Sequence, residues 1–506
     1  MFFLDQRLIM MLPKYQILVK ILFCLSVLYP QAFNGLTLFS AYSDDLQEDD
    51  HYTRLIDNDE NIIHAWAHNR GAASMPYLLK DSTLLYPYRV QEPSMFNGGV
   101  GGGISYYTWD GNLLWSYEFA NNSYQHHHDI HPLPNGNILV LLWERHTASQ
   151  GDNTEFYGGP GKGWAQMGRT EVQNPLNQMW SEAIFEIEMV GNNDINIVWE
   201  WHVWDHTVQD IDAELDNYGE IAEHPELMNI NFGEVGDNSP TESHADWIHF
   251  NAIDYNEDLD QIALSSRHNS EIYIIDHSTT TEEAAGHSGG GSNRGGDLIY
   301  RWGNPQAYGQ GDSSDQKLDS QHGVNWIPEG YPGEGNLLLF NNFYNQDWNS
   351  AVYELVLPLN GDGIYNMNLE GTYEPEGPVW MISGGFFSWI QSGAFRLPNG
   401  NTLITVATAA RIFEVEENLN IVWDYDFDGG QMIARAQKYP MDYLFPDYNL
   451  GDVNFDNVIT VADLLLVSDM VSGFGYAPNP PADLNEDGSV NISDMNLLIQ
   501  SIINYQ

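Results

Sequence analysis

A unit of three parts recurs six times along the chain, and this repetition limits the folds that the chain can adopt. The first part is a strand of the pattern apolar, aromatic, any residue, apolar. The second part ends in tryptophan, any residue, aromatic. Copies of the first part begin at positions 54, 104, 184, 272, 352 and 412, and copies of the second at 63, 114, 198, 299, 379 and 422. A regular repeat of supersecondary units is typical of stacked arrays and closed rings.

The third part is a strand that follows a tight turn. Its clearest copies contain Leu-Pro-Asn-Gly-Asn at 133–137 and 397–401. Asn-Gly between apolar runs predicts a hairpin, because both residues accept positive φ. The aromatic content of 13% also favours β structure. We therefore predict a mainly β fold, a six-bladed β-propeller over residues 54–446; an open sandwich is the alternative, but it would not explain six similar units.

The first unit lacks an inner strand of its own. The stretch 434–439, near the other end of the repeat region, could supply that strand. The ring would then close between the two ends of the chain.

The N-terminal region contains an apolar run, residues 17–29, which is interrupted by Lys20 and holds the only cysteine, Cys24. The run is too short to cross a bilayer and is typical of a signal peptide. We assign residues 1–41 to a signal peptide and leader, with cleavage between about residues 32 and 42; an uncleaved anchor is the alternative. The mature chain would have no thiol and no membrane span, and would be secreted or at the cell surface, with the periplasm also possible.

The charge is strongly acidic: 18 Lys and Arg stand against 71 Asp and Glu, a formal net charge of −53. Such a surface repels phosphate backbones, so we expect no nucleic-acid partner. It suits a medium rich in cations, where salt screens the repulsion.

Near the C-terminus, two twelve-residue loops, 452–463 and 483–494, are copies of one motif. Oxygen-bearing side chains occupy positions 1, 3, 5, 9 and 12, the pattern of an EF-hand calcium loop. An apolar helix follows each loop. We predict a small α-helical domain, residues 449–504, with two EF-hand-like loops that bind Ca²⁺. The predicted ligands are Asp452, Asn454, Asp456, Thr460, Asp463, Asp483, Asn485, Asp487, Asn491 and Asp494.

When the repeats are aligned on the turn, three of them place a histidine at one position, just before the inner strand: His128, His249 and His322. In a propeller this position points toward the axial channel, so the three imidazoles would converge. Asn251 shares a strand face with His249, and a hairpin would return Arg267 to the same mouth. Three histidines could hold a catalytic zinc, but the fixed charge of the arginine disfavours a metal. Neutral imidazoles with an arginine and an asparagine suit a tetrahedral oxyanion such as sulfate.

At these residues the sequence resembles the arylsulfotransferase family. The most specific match is the stretch 246–254, continued at 264–269 by Leu-Ser-Ser-Arg-His-Asn. His-His-Asp at 127–129 and Gln-His at 321–322 also match, and the resemblance covers about residues 54–446. Members of this family are six-bladed propeller enzymes that move a sulfuryl group from an aryl sulfate to a phenol without a nucleotide cofactor.

The resemblance implies roles for the converging residues. His322 would be the nucleophile and become transiently sulfated, so transfer would be ping-pong. Arg267 and Asn251 would hold the sulfuryl oxygens. His249 and His128 would contact the phenolic oxygen or the sulfuryl group, one of them acting as acid and base.

Two further histidines are assigned to substrate binding, His127 and His268. The family pattern has one histidine at this place, and either His127 or His128 could correspond to it. The alignment of the repeats favours His128.

The C-terminal module resembles a type I dockerin, which would bind a cohesin domain on another protein and tether the enzyme. Two other functions stay open from the sequence. One is a non-catalytic propeller that binds a sulfated or carbohydrate ligand, and the other is a hydrolase or lyase with a metal held by three histidines.

Overall fold

The computed structural model describes residues 31–42, 51–149, 162–236, 244–346, 348–361, 363–429, 431–441, 443, 450–453, 458–472, 480–485 and 489–504. The apolar run 17–29 of the predicted leader lies outside these residues. Three predicted calcium ligands also lie outside them, namely Asn454, Asp456 and Asp487.

Six four-stranded antiparallel sheets form the blades of a six-bladed β-propeller, as the repeats predicted. The first blade contains β1 (Gly35–Tyr42), β2 (His51–Ile56), β3 (Ile62–His68) and β26 (Met432–Pro440). The second contains β4 (Tyr77–Leu78), β5 (Leu84–Arg89), β6 (Gly102–Tyr107) and β7 (Leu113–Glu118). The third contains β8 (Tyr124–Pro132), β9 (Ile138–Thr147), β10 (Gln178–Val190) and β11 (Asp194–His202).

A short parallel ribbon follows the third blade, made of β12 (Thr207–Val208) and β13 (Met228–Asn229). The fourth blade contains β14 (Phe250–Asn256), β15 (Gln261–Ser266), β16 (Glu271–Asp276) and β17 (Tyr300–Trp302). The fifth contains β18 (His322–Trp326), β19 (Leu337–Asn341), β20 (Ala351–Leu355) and β21 (Trp380–Ser383). The sixth contains β22 (Gly393–Arg396), β23 (Thr402–Val406), β24 (Arg411–Val415) and β25 (Ile421–Asp426).

The inner strand of the first blade comes from the far end of the propeller. Strand β26 pairs with β1 from Gly35 opposite Pro440 to Tyr42 opposite Met432. The prediction that residues 434–439 close the ring is therefore confirmed.

The N-terminal boundary predicted from the sequence is wrong. Strand β1 is buried throughout and hydrogen-bonds to both β26 and β2, although the sequence assigned it to the leader. Leu38 packs into one hydrophobic core and Phe39 into another, so the strand is covered on both faces. Small and turn-forming residues in this stretch, among them Gly35 and Ala41, are typical of a leader cleavage region, so the sequence alone extends the leader into the strand. The propeller thus begins before residue 54, and cleavage within β1 would remove part of a blade.

The C-terminal module contains two helices, α2 (Val461–Ser472) and α3 (Ile492–Asn504), which pack around a small core. The only other α-helix in the described ranges is the single turn α1 (Thr281–Ala284). Short 3₁₀ turns are Trp164–Met167, Val203–His206, Ile221–Glu223, Pro305–Tyr308, Tyr344–Gln346, Ala407–Ala409 and Pro480–Ala482. Within the part of the chain that the structure covers, no helix combines the length and apolarity needed to span a bilayer.

Candidate functional site

A cavity of about 730 Å³ opens at one mouth of the propeller axis, and the three aligned histidines line it. The ring of His128 lies 4.6 Å from that of His249 and 6.5 Å from that of His322. Arg267 and His268 line the same cavity. The fold therefore brings these five predicted residues together.

Local irregularities in the inner strands aim these side chains at the axis. His128 and His249 adopt left-handed backbone conformations, with φ of 53° and 55°. The pairing register shifts in β8 after residue 126, in β14 after Phe250 and in β18 after His322. A bulge redirects the side chains beside it, which explains why the inner strands of these three blades present an imidazole to the cavity at this point.

His322 carries its hydrogen on Nδ1. This atom lies 2.9 Å from the carbonyl oxygen of Ser320 and 2.9 Å from Oδ1 of Asn342. Both partners are acceptors, so Nδ1 donates and Nε2 keeps its lone pair. Burial and the charge of Arg267 lower the pKa of His322 well below 6.5. The imidazole is therefore neutral and its Nε2 is nucleophilic.

His249 is oriented by a carboxylate that the sequence did not single out. Its Nδ1 bonds Oδ2 of Asp246, which also accepts a hydrogen bond of 2.8 Å from Nδ2 of Asn97. Although burial opposes ionisation, the nearby histidines, first among them His249, hold the pKa of Asp246 well below its usual range. An ionised carboxylate fixes the tautomer of the ring, so Nε2 of His249 is the nitrogen that can exchange a proton.

His128 ends a chain of buried groups. Its Nδ1 lies 2.9 Å from Nδ1 of His127, whose Nε2 lies 2.7 Å from Oε2 of Glu182. The other carboxyl oxygen of Glu182 accepts a 2.8 Å hydrogen bond from the amide of Phe250. Burial raises the pKa of Glu182 well above 4.5 and lowers that of His127 to about 3. Burial and the neighbouring His249 also lower the pKa of His128 well below 6.5. The proton of the chain therefore resides on the glutamic acid, and neutral His128 presents an N–H at Nε2.

His127 does not line the cavity, so its assignment to direct substrate contact is wrong. It is fully buried, and its ring stacks on Trp143 with centroids 4.3 Å apart. Two successive residues on a strand point to opposite sides, which is why only His128 of this pair reaches the axis. Of the two histidines, His128 is the one that lines the cavity.

The remaining predicted residues differ in their access to the cavity. Burial lowers the pKa of Arg267, and its Nε is buried without a hydrogen-bond partner among the described residues. His268 donates from Nδ1 to the carbonyl of Trp247 at 2.9 Å, and burial lowers its pKa to about 3. Asn251 is not part of the lining: its Nδ2 donates to the carbonyl of Gln321 at 2.8 Å. Asn251 therefore supports the backbone that precedes His322, and its contact with sulfuryl oxygens stays a prediction.

Apolar and aromatic side chains complete the cavity wall. Phe232, Trp389 and Ile390 line it beside the imidazoles, and Trp389 is half exposed at 51%. A flat apolar surface next to a cation and neutral imidazoles suits a ligand with an aromatic ring and an anionic group.

The three aligned histidines do not form a metal-ligating cluster. In the cavity, the set whose ligand atoms lie within 4.8 Å of one another, among the described residues, is Asp246, His249 and His268. Asp246 in this set already accepts two hydrogen bonds, and the fixed charge of Arg267 lies on the same wall.

The C-terminal loops fit calcium. Asp463 and Asp494, at the last position of each loop, are fully buried and accept backbone hydrogen bonds within the module. Residues 449–504 contain no Lys, Arg or His. Buried carboxylates without a basic side chain in the module need a bound cation to balance their charge. The other predicted ligands within the described ranges are Asp452, Thr460, Asp483, Asn485 and Asn491.

Fold and site together define a six-bladed β-propeller with a histidine–arginine centre at its axial mouth, followed by a calcium-loop module. Residues 182–410 match the family model described as arylsulfotransferase (ASST), and residues 450–503 match that of the type I dockerin domain. The resemblance to both families is thus confirmed over these segments. The matches support sulfuryl transfer as the general activity and a cohesin as the general partner of the dockerin.

None of the curated proteins matches the chain. Solved structures similar to it include a protein of unknown function from Bacteroides caccae, with 13% identity and TM-score 0.41, covering 80% of this chain and 98% of that one. A Lactobacillus plantarum protein has 9% identity and TM-score 0.37, with 80% and 99% covered. Virginiamycin B lyase from Staphylococcus aureus has 12% identity and TM-score 0.33, with 78% and 85% covered. No functional argument rests on similarities this low.

Proposed function

We propose that this protein transfers a sulfuryl group from an aryl sulfate to a phenol in the axial cavity, through a sulfated His322. The observation that carries the proposal is the neutral Nε2 of His322, held in one cavity with Arg267 and two further histidines. A nucleophile of this kind splits a difficult displacement into two easier steps.

In the first half-reaction, Nε2 of His322 attacks the sulfur of the donor, and the bond from sulfur to the aryl oxygen breaks. The leaving phenolate takes the proton from Nε2 of His128. His127 then donates a proton from its Nδ1 to Nδ1 of His128. Glu182 donates a proton to Nε2 of His127 and becomes a carboxylate. Arg267 stabilises the charge on the sulfuryl oxygens during this displacement.

In the second half-reaction, the hydroxyl of an acceptor phenol attacks the sulfur of the sulfated His322. The proton of this hydroxyl passes to Nε2 of His249, which Asp246 stabilises as an imidazolium, and from there through His128 and His127 back to Glu182. The bond between sulfur and Nε2 of His322 breaks, and the free imidazole is restored. Proton and sulfuryl group both balance over the cycle, and no nucleotide takes part.

Arg267 offers a binding point for an anionic substrate in a cavity whose lining also contains the carboxyl groups of Glu234, Asp246 and Asp319. Arg267 is the only Lys or Arg among the described lining residues, and a guanidinium matches the planar face of oxyanions through several N–H donors. The buried Nε of Arg267 has no hydrogen-bond partner among the described residues, so it can donate to a bound anion. Trp389 and Phe232 offer the apolar surface that an aryl group needs.

The proposal is tested by incubating the protein with 4-nitrophenyl sulfate, with and without a phenol. We expect release of nitrophenol that depends on the phenol. His322→Ala should reduce turnover by at least about 1,000-fold, as removal of a nucleophile does in other group-transfer enzymes. The sulfuryl adduct, detected by mass spectrometry on the peptide that carries His322, should disappear as well. His224→Ala is the control, since this histidine is not among the cavity-lining residues.

Other outcomes would select the other functions. An active His322→Ala protein would rule out the assigned nucleophile. Activity that a chelator abolishes and zinc restores, with calcium supplied for the loops, would favour a metal enzyme built on Asp246, His249 and His268. Ligand binding without turnover would favour a non-catalytic propeller.

We propose in addition that the protein works outside the cytoplasm, tethered through its dockerin module. The apolar N-terminal run and the calcium loops support this placement. Cleavage of a leader would have to precede Gly35, because β1 begins there. When bound, Ca²⁺ would order the two loops through the buried carboxylates Asp463 and Asp494, which set the position of α2 and α3.

A further inference from the structure

A second cluster of ligand-type side chains lies away from the axial cavity. His206, His287 and Asp297 each place one possible ligand atom within 4.8 Å of the other two. His206 follows the last strand of the third blade, whereas the other two residues lie on the connection 277–299 between β16 and β17 of the fourth blade. None of the three lines the axial cavity.

The hydrogen bonds of His206 leave one of its nitrogens facing a carboxylate. Its Nε2 lies 2.8 Å from the carbonyl oxygen of Ala284, so Nε2 must carry a hydrogen and donate. Its Nδ1 lies 2.8 Å from Oδ1 of Asp297. In a neutral ring this Nδ1 holds a lone pair, and two acceptors then face each other. Either a second proton or a metal cation must stand between them.

A third ligand points at the same oxygen. Nδ1 of His287 lies 2.8 Å from Oδ1 of Asp297, and its ring centroid is 5.8 Å from that of His206. Two imidazoles and one carboxylate thus converge from two different blades. This donor set is one that divalent transition metals prefer, and zinc in particular.

The ring of His206 is fixed in this orientation by its surroundings. It is fully buried and lies parallel to Trp201, with centroids 5.6 Å apart. The indole N–H of Trp201 donates to the carbonyl of Gly296 at 2.7 Å. A Cβ at position 296 would lie 2.6 Å from Nε2 of His206 and 2.0 Å from the carbonyl of Ala284, so glycine is required there. A metal-ligating histidine characteristically has such a second partner that sets its tautomer.

We propose that His206, His287 and Asp297 bind a divalent transition metal, with zinc as the best fit. In a tetrahedral zinc site with bonds of about 2.0–2.1 Å, the ligand atoms stand about 3.3 Å apart. The present separations of 2.8 Å therefore require only a small outward movement. His287 can make this movement, because its side chain is 61% exposed. Water supplies the fourth ligand on this solvent side.

The metal would link the long, glycine-rich connection between β16 and β17 of the fourth blade to His206, which follows the third blade. The segment 277–299 contains glycine at positions 286, 289, 290, 291, 295 and 296. Ordering so many glycines costs conformational entropy, and a link between residues far apart in sequence offsets part of that cost. The site is structural, and sulfuryl transfer does not depend on it.

The test uses the full chain without a histidine tag, stripped of metals and returned to excess Ca²⁺. Zn²⁺ binding is measured by titration calorimetry, and Co²⁺ is used for the visible absorption of a tetrahedral site. We expect one Zn²⁺ per chain at this cluster. His287→Ala should weaken that binding by at least about 100-fold and abolish the Co²⁺ absorption.

His224→Ala is the matched control, because His224 is also partly exposed and bonds a carboxylate, Glu226, at 3.0 Å, but belongs to no cluster of three ligands among the described residues. It should bind Zn²⁺ like the parent protein. The inference is overturned if the parent protein binds no Zn²⁺ in the presence of Ca²⁺, which would mean that His206 and Asp297 form only an ion pair. It is also overturned if His287→Ala binds Zn²⁺ with unchanged affinity, which would place the metal in the axial cavity.

Discussion

The group behind each of the three aligned histidines fixes the position of its hydrogen, which is on Nδ1 in His322 and His249 and on Nε2 in His128. His322 is held by a carbonyl and an amide oxygen, His249 by a carboxylate, and His128 by another imidazole. The same side chain can therefore serve as nucleophile, base and acid within a few ångströms. The proposed attack by His322 requires a neutral imidazole, and neither of the two oxygens behind the ring protonates it.

Glu182 provides a test of the proton chain behind His128. Glu182→Gln keeps the hydrogen-bond pattern, since the amide can still accept from the backbone and donate to His127, but it cannot give up a proton. We expect turnover of aryl sulfates with basic leaving groups to fall by about 10–100-fold. Turnover of 4-nitrophenyl sulfate should change little, because nitrophenolate leaves without protonation.

The pH dependence of turnover provides a second test of the role of Glu182. Burial raises the pKa of Glu182, so the acid form persists to higher pH, and turnover of a basic leaving group should decline as pH rises through this pKa. The variant should lack this alkaline decline. An equal loss for both classes of donor, with the decline retained, would show that Glu182 only supports the structure.

The site residues were predictable from the sequence to different degrees. His128, His249 and His322 could be found because the repeat puts them in register. The sequence alone gives no role to Asp246 or Glu182. Asp246 lies three residues before its partner His249, but it resembles any other acidic residue in an acidic chain. Glu182 bonds His127, which lies 55 residues away in the sequence. Asn251 was placed on the correct strand, but only the structure shows that it faces the backbone of Gln321.

At the level of elements, the glycine-rich segment between β5 and β6 shapes the cavity. Gly99 has φ of 78°, and a Cβ there would lie 1.9 Å from the ring of His128. Its carbonyl accepts a 2.7 Å hydrogen bond from the amide of His128. The segment therefore holds the backbone and the ring of His128 from one side, and only glycine leaves enough room.

Gly99→Ala should displace the ring of His128 and lower turnover by at least about 10-fold, since small misplacements of a reacting group are costly. Gly111→Ala is the control for backbone strain, because Gly111 has φ of 79° with no atom within 4 Å of its Cβ position. Both variants should lose about 1–2 kcal/mol of stability from the left-handed conformation, and Gly99→Ala should lose more because its Cβ meets the ring of His128. Equal turnover in the two, measured with an aryl sulfate at matched folding, would contradict the steric role of Gly99.

The strand pattern predicted most of the elements. The repeats located the two outer strands of every blade, and Asn-Gly turns located two hairpins. Strand β1 was missed because its residues are buried on both faces and give no alternation. Its pairing with β26 involves residues about four hundred positions apart, and no local pattern reports such a contact.

At the scale of the whole molecule, catalysis and tethering belong to separate parts of the chain. The residues that line the axial cavity lie in the propeller, and the calcium loops lie in the C-terminal module. The two activities should therefore respond independently to a change in calcium.

Removal of Ca²⁺ with EGTA should unfold the helices of the module, because Asp463 and Asp494 would remain buried without a compensating cation. We expect a loss of helical circular dichroism and a lower melting temperature for this part of the full-length protein. Sulfuryl transfer should keep its rate. A fall in turnover that calcium restores would contradict this separation.

The pairing of β26 with β1 also determines when the propeller can close during synthesis. Three strands of the first blade leave the ribosome early, but the strand that completes their sheet is synthesised only after the other five blades. Until then the ring is open, and residues such as Leu38 and Phe39 expose apolar surface on a chain already several hundred residues long. Such a chain would need protection from aggregation during export. Once closed, the two ends hold each other in place, so unravelling of the propeller from one terminus must first break a sheet that contains both.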